Sequence, residues 1–197
     1  MRTRLPLLAL AVLSLFAAAA CSSDDDPSTV EAGEEQEEQV AEFNDADVAF
    51  AQQMIPHHQQ AVEMAQLAAD RAERQEVKDL AARVEAAQAP EIATLEGWLG
   101  EWGEDLPMEG MDMDHGQDGM GMMSDKDMSM LESASGAEFD RLFLEMMVRH
   151  HSGAIDMAEE ELRDGQHPGA LEMAQEIKDT QEAEVAEMEA LLAELGS

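Results

Sequence analysis

The stretch FAQQMIPHHQQAVEMA, residues 50–65, decides the fold because it recurs as FLEMMVRHHSGAIDMA, residues 143–158. Each copy carries a methionine, a histidine pair, a small residue and a second methionine at identical spacing. At about 100° per residue of α-helix, these side chains share one stripe roughly 120° wide. The positions are Met54, His57, His58, Ala61 and Met64 in the first copy, and Met147, His150, His151, Ala154 and Met157 in the second.

The small residue at the centre of each stripe predicts that the two helices approach closely. With Ala61 facing Ala154, four imidazoles and four thioethers would meet between them. The first helix is expected from about residue 45 to 74, with Asn44 or Asp45 as its N-cap. Pro56 is expected to kink it, because proline removes one amide from the helical ladder.

The duplication continues into a second pair of helices, expected over about 75–100 and 168–195. A constant offset takes Leu80 to Met173 and Val84 to Ile177 along an apolar arc. Two amphipathic hairpins that bury their apolar faces against each other predict an all-α four-helix bundle. Polar residues nevertheless fall inside both apolar arcs, where a carboxylate is costly unless it is paired. They are Gln88, Glu91, Gln181 and Glu184.

Charge and cysteine content limit the partners of the chain. Its 197 residues carry a formal net charge of -34, which excludes unassisted binding to nucleic acid or to anionic lipid and favours cationic partners. The single cysteine, Cys21, excludes an intramolecular disulfide, so stability must come from the core.

The first 43 residues are predicted to lie outside the folded domain. Residues 1–20 combine two arginines with a short apolar run and indicate a signal peptide. The sequence Ala18-Ala19-Ala20-Cys21 resembles a bacterial lipoprotein signal, which implies lipidation of Cys21; the alternative is an ordinary secretory signal with an incidental cysteine. Residues 21–43 are acidic and nearly free of apolar side chains, so they predict a disordered tether before a domain over 44–197.

A methionine-rich segment, residues 104–131, separates the two hairpins. Its glycines and aspartates fit no helical or strand period, and we predict a disordered loop. Half of the 16 methionines lie here, which suggests capture of a metal ion, although random low-complexity sequence is the alternative. The candidate residues are Met108, Met111, Met113, His115, Met120, Met122, Met123, Met128 and Met130.

Thioether and imidazole groups without cysteine favour copper(I), with silver(I) as its chemical mimic. Thioethers also need no deprotonation and form no disulfides, which suits an oxidising exterior. Aspartates beside the loop methionines could also hold copper(II). The alternative for a methionine stripe is core packing, and His167, Trp98 and Trp102 are interpreted as structural residues.

A di-iron oxidase is the main competing interpretation, because ferritin-like bundles use Glu-x-x-His pairs. Here a methionine stands three residues before His57 and before His150, and no helix carries that motif. Glu91 and Glu184 are instead expected to hydrogen-bond the histidines and orient them, with Gln88 and Gln181 beside them.

The elements MIPHHQQAVEMA and MVRHHSGAIDMA, each followed by a Gln-x-x-Glu segment, resemble the domain-of-unknown-function 305 family. The resemblance covers about residues 45–195 apart from the methionine-rich segment. It implies a ferritin-like four-helix fold in an exported bacterial protein. It also implies copper binding by His57, His58, His150 and His151 with Met54, Met64, Met147 and Met157.

Three functions remain open from the sequence. The first is a non-enzymatic copper-binding protein, tethered to the cell membrane through its lipid, that sequesters the ion or passes it to other exported copper-handling proteins. The second is a metal oxidase that uses the same cluster, and the third is a scaffold module whose histidines are structural.

Overall fold

The computed structural model describes residues 42–107 and 120–196, and their regular secondary structure is entirely helical. This agrees with the predicted all-α bundle. The signal peptide, the tether up to residue 41, Cys21, Met108, Met111, Met113 and His115 lie outside the described residues. Within the described ranges, none of the helices combines the length and the apolarity needed to cross a membrane. The helices are α1 (Asp45–Arg71), α2 (Gln75–Trp102), α3 (Asp125–Ser133), α4 (Ala137–Asp164) and α5 (Pro168–Leu195).

Local sequence signals explain where these helices begin. The Asn44 side chain accepts from the amides of Ala46 and Asp47 at 2.8 and 3.2 Å, and Asp47 accepts from the Asn44 amide at 2.6 Å. This reciprocal cap starts α1 at the expected residue, and α1 then continues through Pro56. Helix α5 starts at Pro168, whose missing amide costs nothing in the first turn.

The structure corrects the prediction of a disordered loop over 104–131 in its last part, residues 125–131. Residues 125–133 form α3, whose N-cap Ser124 and residue Asp127 make a second capping box. The fully buried side chain of Leu131 fixes the short helix to the core. The prediction was wrong because it relied on composition. The glycines and aspartates around this segment are typical of a loop, but the segment contains a helix cap followed by one apolar anchor.

Helices α1 and α4 cross in an antiparallel orientation. The start of α1 meets the end of α4, where the Asn44 side chain donates to the Asp164 carbonyl at 2.9 Å. At the other end, the Gly136 amide donates to the Arg71 carbonyl at 2.8 Å. Halfway along, the rings of His57 and His150 lie 3.7 Å apart between centroids. These two histidines are duplicates of each other, so the pseudo-twofold axis of the duplication passes between them.

This crossing overturns the predicted contact between Ala61 and Ala154. Ala61 belongs to one buried apolar cluster and Ala154 to the other. In an antiparallel pair, duplicate residues meet only at the twofold axis and diverge on both sides of it, and the axis runs through the histidines. The two clusters flank a polar layer on the four long helices. That layer consists of His57, His58, Gln88, Glu91, His150, His151, Gln181 and Glu184.

Two duplicate aspartates join the hairpins. Asp47 of α1 accepts the amides of Gln166 and His167, just before α5, at 3.0 and 2.8 Å. Asp140 of α4 accepts two amides just before α2, at 3.0 and 2.9 Å. Helix α1 therefore caps α5, and α4 caps α2, so each cap joins one hairpin to the other.

The Asp47 end of the bundle contains a second buried carboxyl, that of Glu161, where the first copy has Ala68. Burial, a hydrogen bond to Asp47 and the Asp47 charge raise the pKa of Glu161 to about 8. Burial also opposes ionisation of Asp47, but its hydrogen bonds to Glu161 and to backbone amides outweigh this and lower its pKa. As a carboxylate, Glu161 has no hydrogen-bond donor among the described residues. As a neutral acid, it can donate a hydrogen bond to Asp47.

We expect the unmodified protein to lose stability at high pH, and we expect the Glu161→Gln variant not to show this loss. Because the folded pKa of Glu161 lies above its ordinary value of 4.5, the stabilising contribution is complete below about pH 4.5 and disappears as the pH rises to about 8. Between pH 6 and pH 9, the free energy of unfolding should fall by about 2 kcal/mol more in the unmodified protein than in the variant. Urea unfolding at both pH values measures this, with the exposed neighbour Glu160→Gln as control. Equal pH dependence in all three proteins would contradict the prediction.

Candidate metal centre

The polar layer places four imidazoles in the middle of the bundle. His58, His150 and His151 are completely buried, and His57 is 1% exposed. Their positions follow from the helical repeat, since each His-His pair sits on the stripe that α1 or α4 turns towards the core. The ring centroids of the two histidines in each pair are 6.4 Å apart.

Glu91 and Glu184 each bind one histidine of their own hairpin. The Nε2 atom of His58 lies 2.7 Å from Oε2 of Glu91, and the Nε2 atom of His151 lies 2.7 Å from Oε2 of Glu184. Because a carboxylate only accepts, each Nε2 carries a proton, and in a neutral ring the lone pair is then on Nδ1. The hydrogen bonds expected from the sequence are therefore present, while the role of these residues towards a metal remains a prediction.

The two central histidines differ from each other despite their duplicate origin. His57 Nε2 donates to the carbonyl oxygen of Met120 at 2.9 Å, whereas neither ring nitrogen of His150 has a partner among the described residues. Burial, together with the neighbouring imidazole of His58, lowers the pKa of His57 to about 3. Burial and the surrounding imidazoles also hold the pKa of His150 well below its ordinary value. Both rings are therefore neutral at physiological pH, which is the state that binds metals.

Unpartnered nitrogen atoms are the unusual feature of this layer. The Nδ1 atoms of His57, His58, His150 and His151 are buried and have no hydrogen-bond partner within the described part of the chain. A buried polar atom without a partner costs free energy, and native proteins contain few of them. Four such nitrogen atoms in one layer are a candidate donor set for a borderline or soft ion.

The predicted methionine ligands do not form one group of four. Met54 and Met157 lie in the apolar cluster on one side of the histidine layer, and Met64 and Met147 lie in the cluster on the other side. All four are buried, with Met157 the most exposed at 7%. Each side of the layer thus has one of the predicted thioether ligands from α1 and one from α4.

The methionines of the described part of the loop occupy different environments. Met123 is buried, Met120 and Met122 are half-buried, Met128 of α3 packs against the core, and Met130 is exposed. Met122 lines a surface cavity of about 330 Å³. These side chains therefore differ in their exposure and surroundings.

The amides of Gln88 and Gln181 lie in the same layer, each 3% exposed. Their Oε1 atoms have no partner within the described ranges. Among residues 42–107 and 120–196, no three histidine, cysteine, aspartate or glutamate side chains are arranged as a metal site.

The sequence did not predict that Gln60, Gly153 and the Met120 carbonyl take part in the surroundings of the histidines. Gln60 and Gly153 are duplicates of each other and lie one helical turn beyond His57 and His150. Nothing in the repeated motif marks them, because their importance comes from a backbone segment that docks from elsewhere in the chain. The only available signal was that the duplication places glutamine in one copy and glycine in the other.

Comparison with known proteins gives a consistent result. The family model described as "Domain of unknown function (DUF305)" matches residues 47–192. A DUF305 protein from Streptomyces coelicolor, provisionally described as secreted, is 33% identical with a TM-score of 0.70, over 77% of this chain and 94% of that one. A DUF305 fragment from Deinococcus radiodurans is 31% identical with a TM-score of 0.69, over 77% and 97%.

A third similar structure has a bound metal. CopM in its Cu(II)-bound form is 32% identical with a TM-score of 0.66, over 75% of this chain and 96% of CopM. CopM also has Cu(I)-bound and silver-bound structures that match this chain. No curated protein sequence matches the chain.

Proposed function

Because this chain belongs to the DUF305 family, we propose that it binds copper(I), with silver(I) as a mimic, in the polar layer. Its role would be to sequester the ion or to pass it on outside the cytoplasm. The observation that carries the proposal is the set of four buried, unpartnered Nδ1 atoms. A bound ion would use lone pairs that otherwise only destabilise the fold.

The chemistry of the surroundings favours a soft monovalent ion. Neutral imidazoles are already present at physiological pH, so binding requires no loss of protons from His57 or His150. Thioethers on both sides of the layer provide soft donors. CopM, which shares this fold, supports the choice because it has been crystallised with copper and silver.

Two features support a location outside the cytoplasm. The sequence of residues 1–21 resembles a lipoprotein signal, which would leave the domain attached to the membrane through Cys21 and an acidic tether. The Streptomyces relative is provisionally described as secreted. The strongly negative surface would concentrate cations near the domain.

Anaerobic copper(I) titration of the full chain against a competing chelator tests the function. We expect tight binding that is lost when His57, His58, His150 and His151 are replaced together by alanine, provided that circular dichroism shows a folded variant. Copper binding that survives this replacement would reject the proposed site. Turnover of copper(I) or iron(II) with oxygen would favour the oxidase, and the absence of metal binding would favour the scaffold.

Replacing Glu91 and Glu184 by glutamine tests the supporting carboxylates. The amide oxygen can still accept from each imidazole, but the ring becomes a weaker donor, so we expect about 10-fold lower affinity for copper(I). The exposed residues Glu96 and Glu189, on the same two helices, provide the matched control Glu96→Gln/Glu189→Gln. Unchanged affinity in the first double variant would remove Glu91 and Glu184 from the site.

A further inference from the structure

The backbone of residues 120–123, here called the strap, lies across α1 and α4 at the histidine layer. Gln60 holds it with two hydrogen bonds: its Nε2 donates to the Met123 carbonyl at 2.8 Å, and its Oε1 accepts from the Met123 amide at 2.7 Å. The side chain of Met123 is buried in the core. The Arg149 guanidinium approaches the Met123 sulfur at 3.4 Å. The strap is therefore a docked segment with side-chain and backbone anchors.

Gly153 provides the space that the strap needs on α4. A Cβ atom at residue 153 would overlap with the carbonyl oxygen of Met120 and would lie 2.9 Å from the Gly121 amide nitrogen. Gly121 itself has a φ of +73°, a conformation that glycine adopts without strain. The duplicate positions 60 and 153 thus cooperate, because one binds the strap through an amide and the other leaves room for its backbone.

The strap makes the two central histidines unequal. Its Met120 carbonyl accepts the Nε2 proton of His57, which fixes that ring in one tautomer with the Nδ1 lone pair free. The duplicate ring of His150 lies 3.7 Å away and has no such partner at either nitrogen within the described residues. Without the strap, His57 would also lack a hydrogen-bond partner at both ring nitrogens among the described residues.

We propose that Gln60 and Gly153 are positioning residues of the metal centre, which act through the Met120 carbonyl to present His57 Nδ1 to the ion. This inference rests on the proposed function. Hydrogen bonds at the far nitrogen of a ligating histidine fix its tautomer and raise its basicity. Glu91 and Glu184 do this for His58 and His151, and the strap supplies the third case with a backbone oxygen. Among the four histidines of the layer, His150 is then the one whose ring nitrogens have no such partner within the described residues.

Nitrogen NMR of the full chain with labelled histidine tests the strap before any metal is added. In the unmodified protein, long-range proton–nitrogen spectra should show His57 as the pure Nε2–H tautomer. In Gln60→Ala and in Gly153→Ala, the His57 nitrogens should shift towards the average of both tautomers, while those of His58 and His151 stay unchanged. Copper(I) affinity should fall about 10-fold in both variants.

Exposed residues on the same two helices provide controls, since Gln59→Ala and Glu160→Ala change side chains of α1 and α4 that do not line the cavity beside the strap. Both should leave the His57 spectrum and the affinity unchanged. If Gln60→Ala does not fold, Gly153→Ala carries the same comparison. An unchanged His57 tautomer in a folded variant would overturn the inference. A failure of the unmodified protein to bind copper(I) would reject the proposed function instead, while the spectra would still report on the strap.

Discussion

Replacement of His150 by leucine is expected to stabilise the metal-free protein while it removes tight copper(I) binding. His150 is completely buried, and neither ring nitrogen has a partner among the described residues. Leucine removes both unsatisfied nitrogens and keeps most of the apolar contact. The gain in the free energy of unfolding should be about 1–2 kcal/mol, which is the usual cost of leaving such groups unpaired less a penalty for imperfect packing.

The loss of copper affinity should exceed the 10- to 100-fold effect typical of an outer hydrogen-bond partner, because the substitution removes a proposed ligand. Urea unfolding without metal and copper(I) competition measure the two effects. His167→Leu is the matched control, since His167 Nδ1 accepts the Ala170 amide at 3.1 Å and its ring packs on Trp98 and Trp102. Because that variant lacks the cap of α5, it should lose about 1 kcal/mol of stability. Its copper binding should be unchanged. A His150→Leu protein that is less stable and still binds copper would show that His150 is a structural residue.

The hairpins were predictable because their signals are local. Apolar residues at helical spacing outlined α2 and α5, and Pro168 marked the first residue of α5. Glu91 and Glu184 stood out because a carboxylate inside an apolar arc needs a partner, and the duplication repeated the exception in both halves. Their hydrogen bonds to His58 and His151 follow from that reasoning.

The relative placement of the hairpins was not predictable in the same way. A helical wheel shows which residues share a stripe, but it contains no information on where two stripes cross, and this is why Ala61 and Ala154 were paired wrongly. The bond between Gln60 and Met123 joins residues 63 positions apart, and no periodic pattern encodes it. Segment 120–133 docks through a few specific hydrogen bonds and one buried leucine, and composition averages such features away.

Asp140→Ala is expected to cause the largest loss of stability of any single substitution considered. The Asp140 carboxylate is completely buried and accepts the amides of Glu73 and Arg74 from 67 and 66 residues away. Arg74 is the N-cap of α2 and has no capping hydrogen bond from its own side chain, so Asp140 performs this function from α4. Alanine would leave both amides without an acceptor and would remove a tie between the two hairpins.

Hydrogen bonds to a charged group contribute about 1.5–3 kcal/mol each, so we expect the free energy of unfolding to fall by about 3 kcal/mol and Tm by about 10 °C. The duplicate substitution Asp47→Ala is the internal comparison. It should cost less, because the His167 side chain still caps α5. Calorimetry of the two variants beside the exposed control Asp70→Ala measures the difference. An equal or smaller loss for Asp140→Ala than for Asp47→Ala would mean that the contact between the hairpins, rather than the capping of α2, determines the contribution of these aspartates.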